Sequence, residues 1–516
     1  MHRLVIALVT FIGLAGAAFL AGYLLLISAT ADRAAALSPA ETDVYVNIYL
    51  QPSAGQQMNL GGLIGRLPGF ADEASLDEKV DQVVGNLLAS SGIELDYRTQ
   101  IKPWLGNQVA LAAWATDTEP GVVAIIDVKD VDAAGQALED LAGDATLAGN
   151  YEGVEIRTTD DGAYALVDDF LVMSETAANI EAVVDVRNGA ASLSGRSEYA
   201  SAMSDLPSDH LASAFVDIAG IAEATDMGQQ LSAFSTAGAT LVAERDGLRL
   251  SGHAPFDVAG AASSATAGFG LGGEPSSLVD WMPQDTIAEL VVFGLRQTLE
   301  DAEAAAATTP EGQELVGGLD TFRALASFGL GIDVDADLLP LLDREVGVAL
   351  SGLDGELPRG QVLLRPEDPA AGEAALRRVV ERLAVVGATA RTEMHESNEI
   401  TVLTIPDTIE LAYAVRDGII IIGTGVEDVI ASLDAHASGD TLASAADYVR
   451  AFEVAGSRAG NEGFVDVSGA IELMGGALDL PADARDILSR IGTLGFTAPS
   501  HDDQIEFHAV LTVDEP

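Results

Sequence analysis

The feature that most constrains the fold is an internal repeat, because segments of the first half of the chain recur in the same order in the second half. Residues 164–168 (YALVD) match residues 413–417 (YAVRD), and the triplet FVD at residues 215–217 recurs at residues 464–466. Further collinear matches pair Pro39 with Pro283, Gly92 with Gly331, Asp185 with Asp434, Leu193 with Leu442, and Tyr199 with Tyr448. Chance can supply one such match but not a collinear series, so two copies of one structural unit are predicted.

The repeat predicts where the domains begin and end. The first copy is placed at residues 36–257 and the second at residues 280–515. Between them, residues 258–279 are rich in Gly, Ala and Ser without a sustained period, which is typical of a linker or a long surface loop. Residues 1–31 precede the first copy and are treated separately below.

Each copy combines short apolar strands with amphipathic helices. Tight-turn dipeptides such as Asp417-Gly418 and Asp246-Gly247 separate neighbouring apolar runs, as in β-hairpins. Helices are predicted near residues 74–92 and 131–141, and a further helix is predicted to begin at Pro369 after an Asp368 cap. Antiparallel hairpins with intervening helices predict an α+β fold, in which each copy is a mainly antiparallel sheet covered by helices.

The N-terminal segment has the length and composition of a membrane anchor. Residues 4–27 carry no charge, and as a helix they would extend about 36 Å, enough to cross a hydrocarbon core of about 30 Å. Arg3 before the segment predicts a single-pass helix with its N-terminus inside. Ala29-Thr30-Ala31 leaves a cleaved signal peptide as the alternative, although signal-peptide cores are usually shorter. Both alternatives place most of the chain outside the cytoplasm, and the favoured anchor places it at the cell membrane.

The acidic composition excludes one class of partner. The chain has 80 acidic and 26 basic residues, for a net charge of −54. Such a surface repels phosphate backbones and anionic lipid head groups, so nucleic acid is not expected as a partner. Either adaptation to high salt or a GC-rich genome would account for the acidity. The absence of cysteine excludes disulfides and thiolate metal sites.

Glycine-rich motifs in the chain lack the context of a phosphate site. Residues 268–273 (GFGLGG) satisfy the G-x-G-x-x-G spacing but are flanked by SSATA and EPSS rather than by a strand and a helix. Residues 423–425 (GTG) lie between an apolar run and a helical segment, but that run belongs to an antiparallel hairpin. A helix-entry turn is therefore favoured there, and no cofactor is predicted.

No catalytic or metal-ligating set can be assembled from the sequence. Asp333, Asp335 and Asp337 resemble the start of a calcium loop, but Leu338 replaces the required Gly and Arg344 occupies the position of the bidentate Glu. This excludes an EF-hand and leaves only weak, adventitious binding of Ca²⁺ or Mg²⁺ open. The seven histidines have no compact ligand spacing. No catalytic, cofactor-binding or metal residue is assigned.

Three residues have both a structural and a functional interpretation. Trp104 could form a ligand platform, but Leu341 at the matching position favours a core role. Asp217 and Asp466 end matching strands before helical segments, so helix capping is favoured over function.

Several motifs together resemble a bacterial family known as domain of unknown function 3352. The resemblance is carried by the N-terminal apolar segment, by Gln51-Pro52 after the first strand, by residues 67–69 (LPG), and by Gly92-Ile93 and Asp96 running into residues 101–106 (IKPWLG). The run PWLG at residues 103–106 is the most specific part. The resemblance covers nearly the whole region after the apolar segment. It implies an envelope location and supports the fold prediction, but it implies no activity.

The sequence therefore favours a non-catalytic, membrane-anchored binding or structural module. A carrier of a hydrophobic or lipid-like ligand is the first alternative, and a hydrolase that uses carboxylates is the second. A carrier should contain a continuous apolar cavity of several hundred Å³, whereas a partner-binding module should expose an apolar patch on an otherwise acidic surface.

Overall fold

A computed structural model of the 516-residue chain shows two compact units, Met1–Pro255 and Phe256–Glu515. It describes residues 32–68, 96–116, 120–141, 146–160, 162–224, 234–255, 274–307, 310–354, 357–385, 387–405, 410–474, 482–499 and 504–515. The predicted helix at residues 74–92 and the predicted anchor at residues 4–27 lie outside these ranges.

In its described residues, the first unit contains ten strands, all paired antiparallel. They are β1 (Val44–Tyr49), β2 (Leu105–Trp114), β3 (Gly121–Val128), β4 (Thr146–Tyr151), β5 (Val154–Thr159), β6 (Gly162–Val167), β7 (Phe170–Ser174), β8 (Ala212–Asp217), β9 (Thr236–Ala243) and β10 (Gly247–Pro255). Their pairings give the order β10-β9-β8-β1-β2-β3-β7-β6-β5-β4. The first strand therefore lies in the middle of the sheet, between β8 and β2.

The described ranges of the second unit also contain ten antiparallel strands. They are β11 (Ala288–Phe293), β12 (Glu345–Asp354), β13 (Leu357–Arg365), β14 (Thr389–His395), β15 (Asn398–Thr404), β16 (Glu410–Arg416), β17 (Ile419–Gly423), β18 (Asn461–Asp466), β19 (Ile491–Ala498) and β20 (Gln504–Val513). Their order is β20-β19-β18-β11-β12-β13-β17-β16-β15-β14, which is the order of the first unit strand for strand.

The register repeats as well as the order. In the first unit Tyr45 of β1 lies opposite Phe215, and in the second unit Glu289 of β11 lies opposite Phe464. Tyr164 on β6 and Tyr413 on β16 therefore lie on strands with the same position in the two sheets. The FVD triplets recur because their phenylalanines fill equivalent buried positions against the central strand.

Helices connect the strands and cover parts of both sheets. In the first unit they are α1 (Ala54–Gly65), α2 (Val131–Leu141), α3 (Ala177–Arg187), α4 (Ser197–Met203) and α5 (Ile218–Ala224). In the second unit they are α6 (Leu295–Ala306), α7 (Pro310–Leu325), α8 (Pro369–Val385), α9 (Val426–Ser438), α10 (Ala446–Ala455), α11 (Val467–Met474) and α12 (Ala482–Leu488). Mixed helices and a large antiparallel sheet are thus present, as the sequence predicts.

The main core of the second unit lies between one sheet face and helices α9 and α10. Val291, Ala349 and Phe464 from the sheet pack there with Val429 of α9 and Phe452 of α10. A smaller core covers part of the opposite face, where α8 packs on β13, β16 and β17. The first unit has two corresponding cores. We call the face beneath α9 and α10 the inner face of the second unit.

Several local predictions agree with the structure. Helix α2 spans the predicted residues, and α8 begins at Pro369 with the Asp368 carboxylate accepting bonds from the backbone of Ala370 and Ala371. The hairpin of β16 and β17 turns at Asp417 and Gly418, both with positive φ, as a type I′ turn requires. No helix among the described ranges is long and apolar enough to cross a membrane.

Candidate functional site

The residues weighed for function in the sequence have structural partners. Trp104 is buried beside α2, and its Nε1 donates to the carbonyl of Gln100 at 2.5 Å. Oδ1 of Asp217 accepts a hydrogen bond from the backbone N of Gly220 at 2.9 Å, so this carboxylate caps α5. Asp466 accepts a bond from the Ser468 hydroxyl at 2.9 Å. The contacts of Trp104 and Asp217 agree with their structural interpretation, whereas the bond from the Ser468 hydroxyl to Asp466 is not by itself a helix cap.

Residues 423–425 form the entry to α9. The Thr424 hydroxyl donates to Asp428 at 2.7 Å, and Arg359 donates to the other oxygen of that carboxylate at 2.9 Å. The Asp428 side chain thus occupies the first turn of the helix, where an anion would otherwise bind. The other glycine motif, residues 268–273, lies outside the described ranges.

The aspartates at 333, 335 and 337 do not converge on one point. Asp333 accepts bonds from the backbone N of Asp335 and Ala336, both at 3.1 Å, and so closes a local turn. Asp337 instead accepts from Nε of Arg378 at 2.6 Å. In the described ranges no group of three or more His, Asp or Glu side chains is arranged to hold a metal ion.

The structure brings together two glutamates that the sequence analysis did not single out. Glu289 on β11 and Glu462 on β18 both lie on the inner face, since Glu462 pairs with Val291 and Glu289 is two residues from Val291 on the same strand. Their side chains are almost completely buried, at 5% and 0% exposure. We call Glu289 and Glu462 the buried carboxyl pair.

The buried carboxyl pair has too few hydrogen-bond partners for two ionised groups. Within the described part of the chain, both carboxyl oxygens of Glu289 and Oε2 of Glu462 lack a hydrogen-bond partner. Tyr448 of α10 donates its hydroxyl to Oε1 of Glu462 at 3.1 Å. Nε of Arg458 lies 3.9 Å from Oε2 of Glu462, beyond hydrogen-bond distance, and its guanidinium carbon lies 5.1 Å from the centre of the Tyr448 ring.

Burial favours the protonated form of both glutamates. It raises the pKa of Glu289 well above its usual range, and the neighbouring Glu462 raises the pKa further. Burial raises the pKa of Glu462 to about 7, although Arg458 and the Tyr448 hydroxyl act in the opposite direction. A buried pair with one nearby guanidinium and no full set of donors is therefore expected to hold a proton near neutral pH.

The first unit has different side chains at the position equivalent to the buried carboxyl pair. Tyr45 takes the place of Glu289 and, together with Tyr199, donates to the carboxylate of Asp32, at 2.7 and 3.2 Å. The backbone N of Ala35 supplies a third donor at 3.0 Å. Tyr199 matches Tyr448, so in both units a helix tyrosine donates to a carboxyl group. In the first unit, one carboxyl group (Asp32) accepts from three donors. In the second unit, among the described residues, two carboxyl groups (Glu289 and Glu462) share one donor, the Tyr448 hydroxyl.

A cavity lies beside this cluster in the second unit. Its volume is about 470 Å³, and its walls are Tyr448, Val449, Phe452, Glu453, Gly456, Ser457 and Arg458. Neither glutamate of the buried pair is part of its wall, but Tyr448, which donates to Glu462, and Arg458 are. A second cavity, of about 420 Å³, has Asp285, Asp434 and Asp440 in its wall.

The opposite face of the second sheet exposes a row of apolar side chains. Leu290 of β11 pairs with Val348 of β12 on one side and with Gly463 of β18 on the other, and Gly463 pairs with Phe496 of β19. The exposed members of this row are Leu290 (44%), Val348 (46%), Leu494 (45%), Phe496 (39%) and Phe507 (39%). We call these five residues the open apolar row.

Coverage by the first helix differs between the units. In the first unit, α1 lies against β9: Gln56 accepts from the backbone N of Ala243 at 2.7 Å, and Asn59 donates to the carbonyl of Ala243 at 2.8 Å. Leu60 and Leu63 of α1 are buried. In the second unit, α6 and α7 have exposed leucines instead, namely Leu299 (45%), Leu319 (41%) and Leu325 (65%).

Neither the buried carboxyl pair nor the open apolar row is predicted from the sequence. The first has a signal in the alignment of the two copies, since Glu289 stands where the matching inward position holds Tyr45. A charged residue in an otherwise apolar strand position is informative. The apolar row has no such signal, because an exposed Leu in a strand has the same pattern as a buried one.

Comparison with known proteins gives a family but few relatives. Nothing among curated proteins matches the chain. Among solved structures, crystal forms I, III and IV of TP0453 are similar to 43%, 45% and 43% of this chain and 78%, 83% and 79% of theirs. Sequence identities are 11%, 10% and 10%, with TM-scores of 0.25, 0.26 and 0.26, too low to establish a shared fold. A family model described as "Protein of unknown function (DUF3352)" matches residues 4–512, so the chain belongs to this family.

Proposed function

We propose that the chain is a non-catalytic binding module and that the open apolar row of the second unit is its binding surface. The single observation that carries the proposal is this row of five exposed Leu, Val and Phe side chains across neighbouring strands of a strongly acidic protein. Apolar area of this kind is costly to leave in water, at about 25 cal/mol per Å². An exposed apolar surface on a charged protein is typical of an interaction site.

The chemistry of the row favours an alkyl chain as its occupant. The row and its paired neighbours Gly463 and Ala509 present no hydrogen-bonding side chain. A protein partner would ordinarily bring roughly one hydrogen bond per 100–200 Å² of interface. An alkyl chain needs none. The exposed leucines of α6 and α7 add apolar surface in the same unit. The net charge of −54 favours an amphiphile whose head group is neutral or cationic.

Binding of a long-chain amphiphile tests this proposal. The full chain is titrated with dodecyltrimethylammonium and, separately, with dodecyl maltoside, both below their micellar concentrations, and bound probe is measured by calorimetry. Leu290→Asp and Phe496→Asp, which place a charge on the row, should weaken binding at least tenfold. Leu250→Asp is the control, because Leu250 is comparably exposed but lies in the first unit.

Three outcomes would contradict the amphiphile proposal. Equal binding by the row variants and the control would exclude the row as the site. Self-association that disappears in the row variants would assign the row to a second copy of the chain. If neither probe binds, the alkyl chain is removed as the occupant and a protein partner is left.

We further propose that the module is anchored in a membrane by residues 4–27, with its bulk outside the cytoplasm. Support comes from the uncharged length of this segment and from the position of the acidic residues, which all lie beyond it. Mass spectrometry of the membrane fraction should find the intact N-terminus. A soluble mature chain that begins at Asp32 would contradict the anchor and support a cleaved signal peptide.

A hydrolase remains the alternative with a specific observation behind it. The buried carboxyl pair has raised pKa values, as acid–base residues often do. However, neither glutamate lines the adjoining cavity, so a molecule in that cavity would not contact the pair directly. We therefore favour a role in which the pair exchanges a proton rather than attacks a substrate.

A further inference from the structure

The buried carboxyl pair has an unbalanced charge when both groups are ionised. The nearby cation is Arg458, which can neutralise one carboxylate. A second negative charge would then lie on the inner face with its oxygens unpartnered. Placing an unpaired charge in such a site costs several kcal/mol. One bound proton removes this cost and makes the pair equivalent to a single carboxylate opposite Arg458.

The other groups that face the pair do not supply the missing positive charge. On β12, Glu345 is itself negative and is already paired with Arg365 at 2.6 Å. Asp280, in the turn before β11, adds a further negative charge that acts on Glu462. On β20, His508 has Glu506 as its neighbour, with 3.6 Å between Nε2 and Oε2. From α10, Tyr448 brings only a neutral hydroxyl.

We propose that the buried carboxyl pair is a proton-binding site that controls how α10 sits on the sheet of the second unit. With one proton bound, the pair is closed beneath Tyr448. When that proton passes to solvent water, the two carboxylates repel each other, and α10 separates from β18 at Tyr448 so that water reaches the pair. The adjoining cavity, which is already largely open to solvent, then widens, because Tyr448, Val449 and Phe452 of α10 form its wall.

The pH range in which α10 opens is set by where the two glutamates titrate in the open state and in the closed state. Once α10 has separated, the glutamates are hydrated and titrate near pH 4.3, the ordinary value. In the closed state burial keeps a proton bound at higher pH. Between these limits the open form gains about tenfold in population for each pH unit, for one proton released. Opening is therefore least at acidic pH and increases toward neutral and mildly alkaline pH.

Hydrogen–deuterium exchange of the full chain measures the opening directly. Exchange of the α10 amides, corrected for the intrinsic dependence of exchange on pH, is compared at pH 6 and pH 8. Wild-type α10 should exchange faster at pH 8. Glu289→Gln, which imitates a permanently protonated Glu289, should lose most of this change. Glu381→Gln is the control, because it removes the same charge from an exposed position on α8.

Infrared spectroscopy keeps the proposal testable if Glu289→Gln folds poorly. Wild-type protein at pH 6 should show the carbonyl stretch of a buried, protonated carboxyl group, and this band should disappear at alkaline pH. Glu462→Gln provides a second variant, with the same expected loss of pH-dependent exchange in α10. Equal exchange of α10 in wild type and both variants at pH 8 would overturn the proposal. An absent infrared band at pH 6 would also overturn it.

Discussion

At the scale of single residues, the two units differ most where a tyrosine meets an acid. Tyr199 and Tyr448 occupy equivalent helix positions, but the acids they contact come from different places in the chain. Asp32 precedes the first strand, whereas Glu462 lies within a strand. The tyrosine is therefore common to both units, while the acid beneath it was changed in number and origin.

The Tyr448 hydroxyl is expected to stabilise the second unit in a pH-dependent manner. Tyr448→Phe removes the bond to Glu462 and should cost about 1 kcal/mol. The hydroxyl lowers the pKa of Glu462, so it favours the ionised form. Its loss should therefore destabilise the protein more at pH 8 than at pH 5, as measured by urea unfolding at the two pH values.

Tyr199→Phe is the matched variant in the first unit. Asp32 would keep two donors, the Tyr45 hydroxyl and the backbone N of Ala35. We therefore expect a smaller loss of stability than for Tyr448→Phe. A larger loss would show that the acid in the first unit depends more on its helix tyrosine than the number of donors suggests.

At the scale of elements, coverage of the sheet by the first helix distinguishes the units. Leu63→Ala in α1 should destabilise by about 2–5 kcal/mol, because the side chain is buried at 3% exposure. Leu299→Ala in α6 should change stability by less than about 0.5 kcal/mol, because Leu299 is 45% exposed. Chemical unfolding of the Leu63→Ala and Leu299→Ala variants measures the two changes in stability. Similar losses would mean that α6 is buried against the sheet as α1 is.

The β16–β17 hairpin provides a second test at this scale. Gly418 has φ of 83°, a conformation that costs a residue with a side chain about 1–2 kcal/mol. A Cβ atom at this position would also lie 3.1 Å from Cγ of Pro369. Gly418→Ala should therefore lower the thermal midpoint. Gly135→Ala in α2 is the control, because a Cβ atom there has open space around it and should not destabilise.

The helices, caps and turns of this chain are easier to predict from its sequence than the contacts between distant elements. Helix α2, the Asp368 cap of α8 and the Asp417-Gly418 turn depend on neighbouring residues, and their signals are local. Burial of Glu289 depends on β18, which lies far along the chain, and no local pattern reports that neighbour. Exposure of Leu290 depends on whether a helix covers its strand. Burial and exposure of these side chains depend on packing between distant elements, and the periodicity of a single sequence does not report that packing.

At the scale of the whole molecule, the excess of negative charge should make stability depend on salt. A net charge of −54 opposes a compact state through self-repulsion. Thermal midpoints should rise from low salt to molar NaCl, because the screening distance falls from about 30 Å at 0.01 M to about 3 Å at 1 M. A flat or falling midpoint would remove salt adaptation as the cause of the acidity and leave genome composition.

The position of the first strand has a consequence for how each unit is made during translation. Val44 of β1 pairs with Val216 of β8, and Ala288 of β11 pairs with Val465 of β18. A ribosome that adds about 5–20 residues per second needs roughly 10–35 s to travel from one partner to the other. During that interval the middle strand of the nascent sheet has one edge unpaired. Each unit is therefore prone to intermolecular strand pairing until its eighth strand emerges, and this exposure recurs once for each unit of the chain.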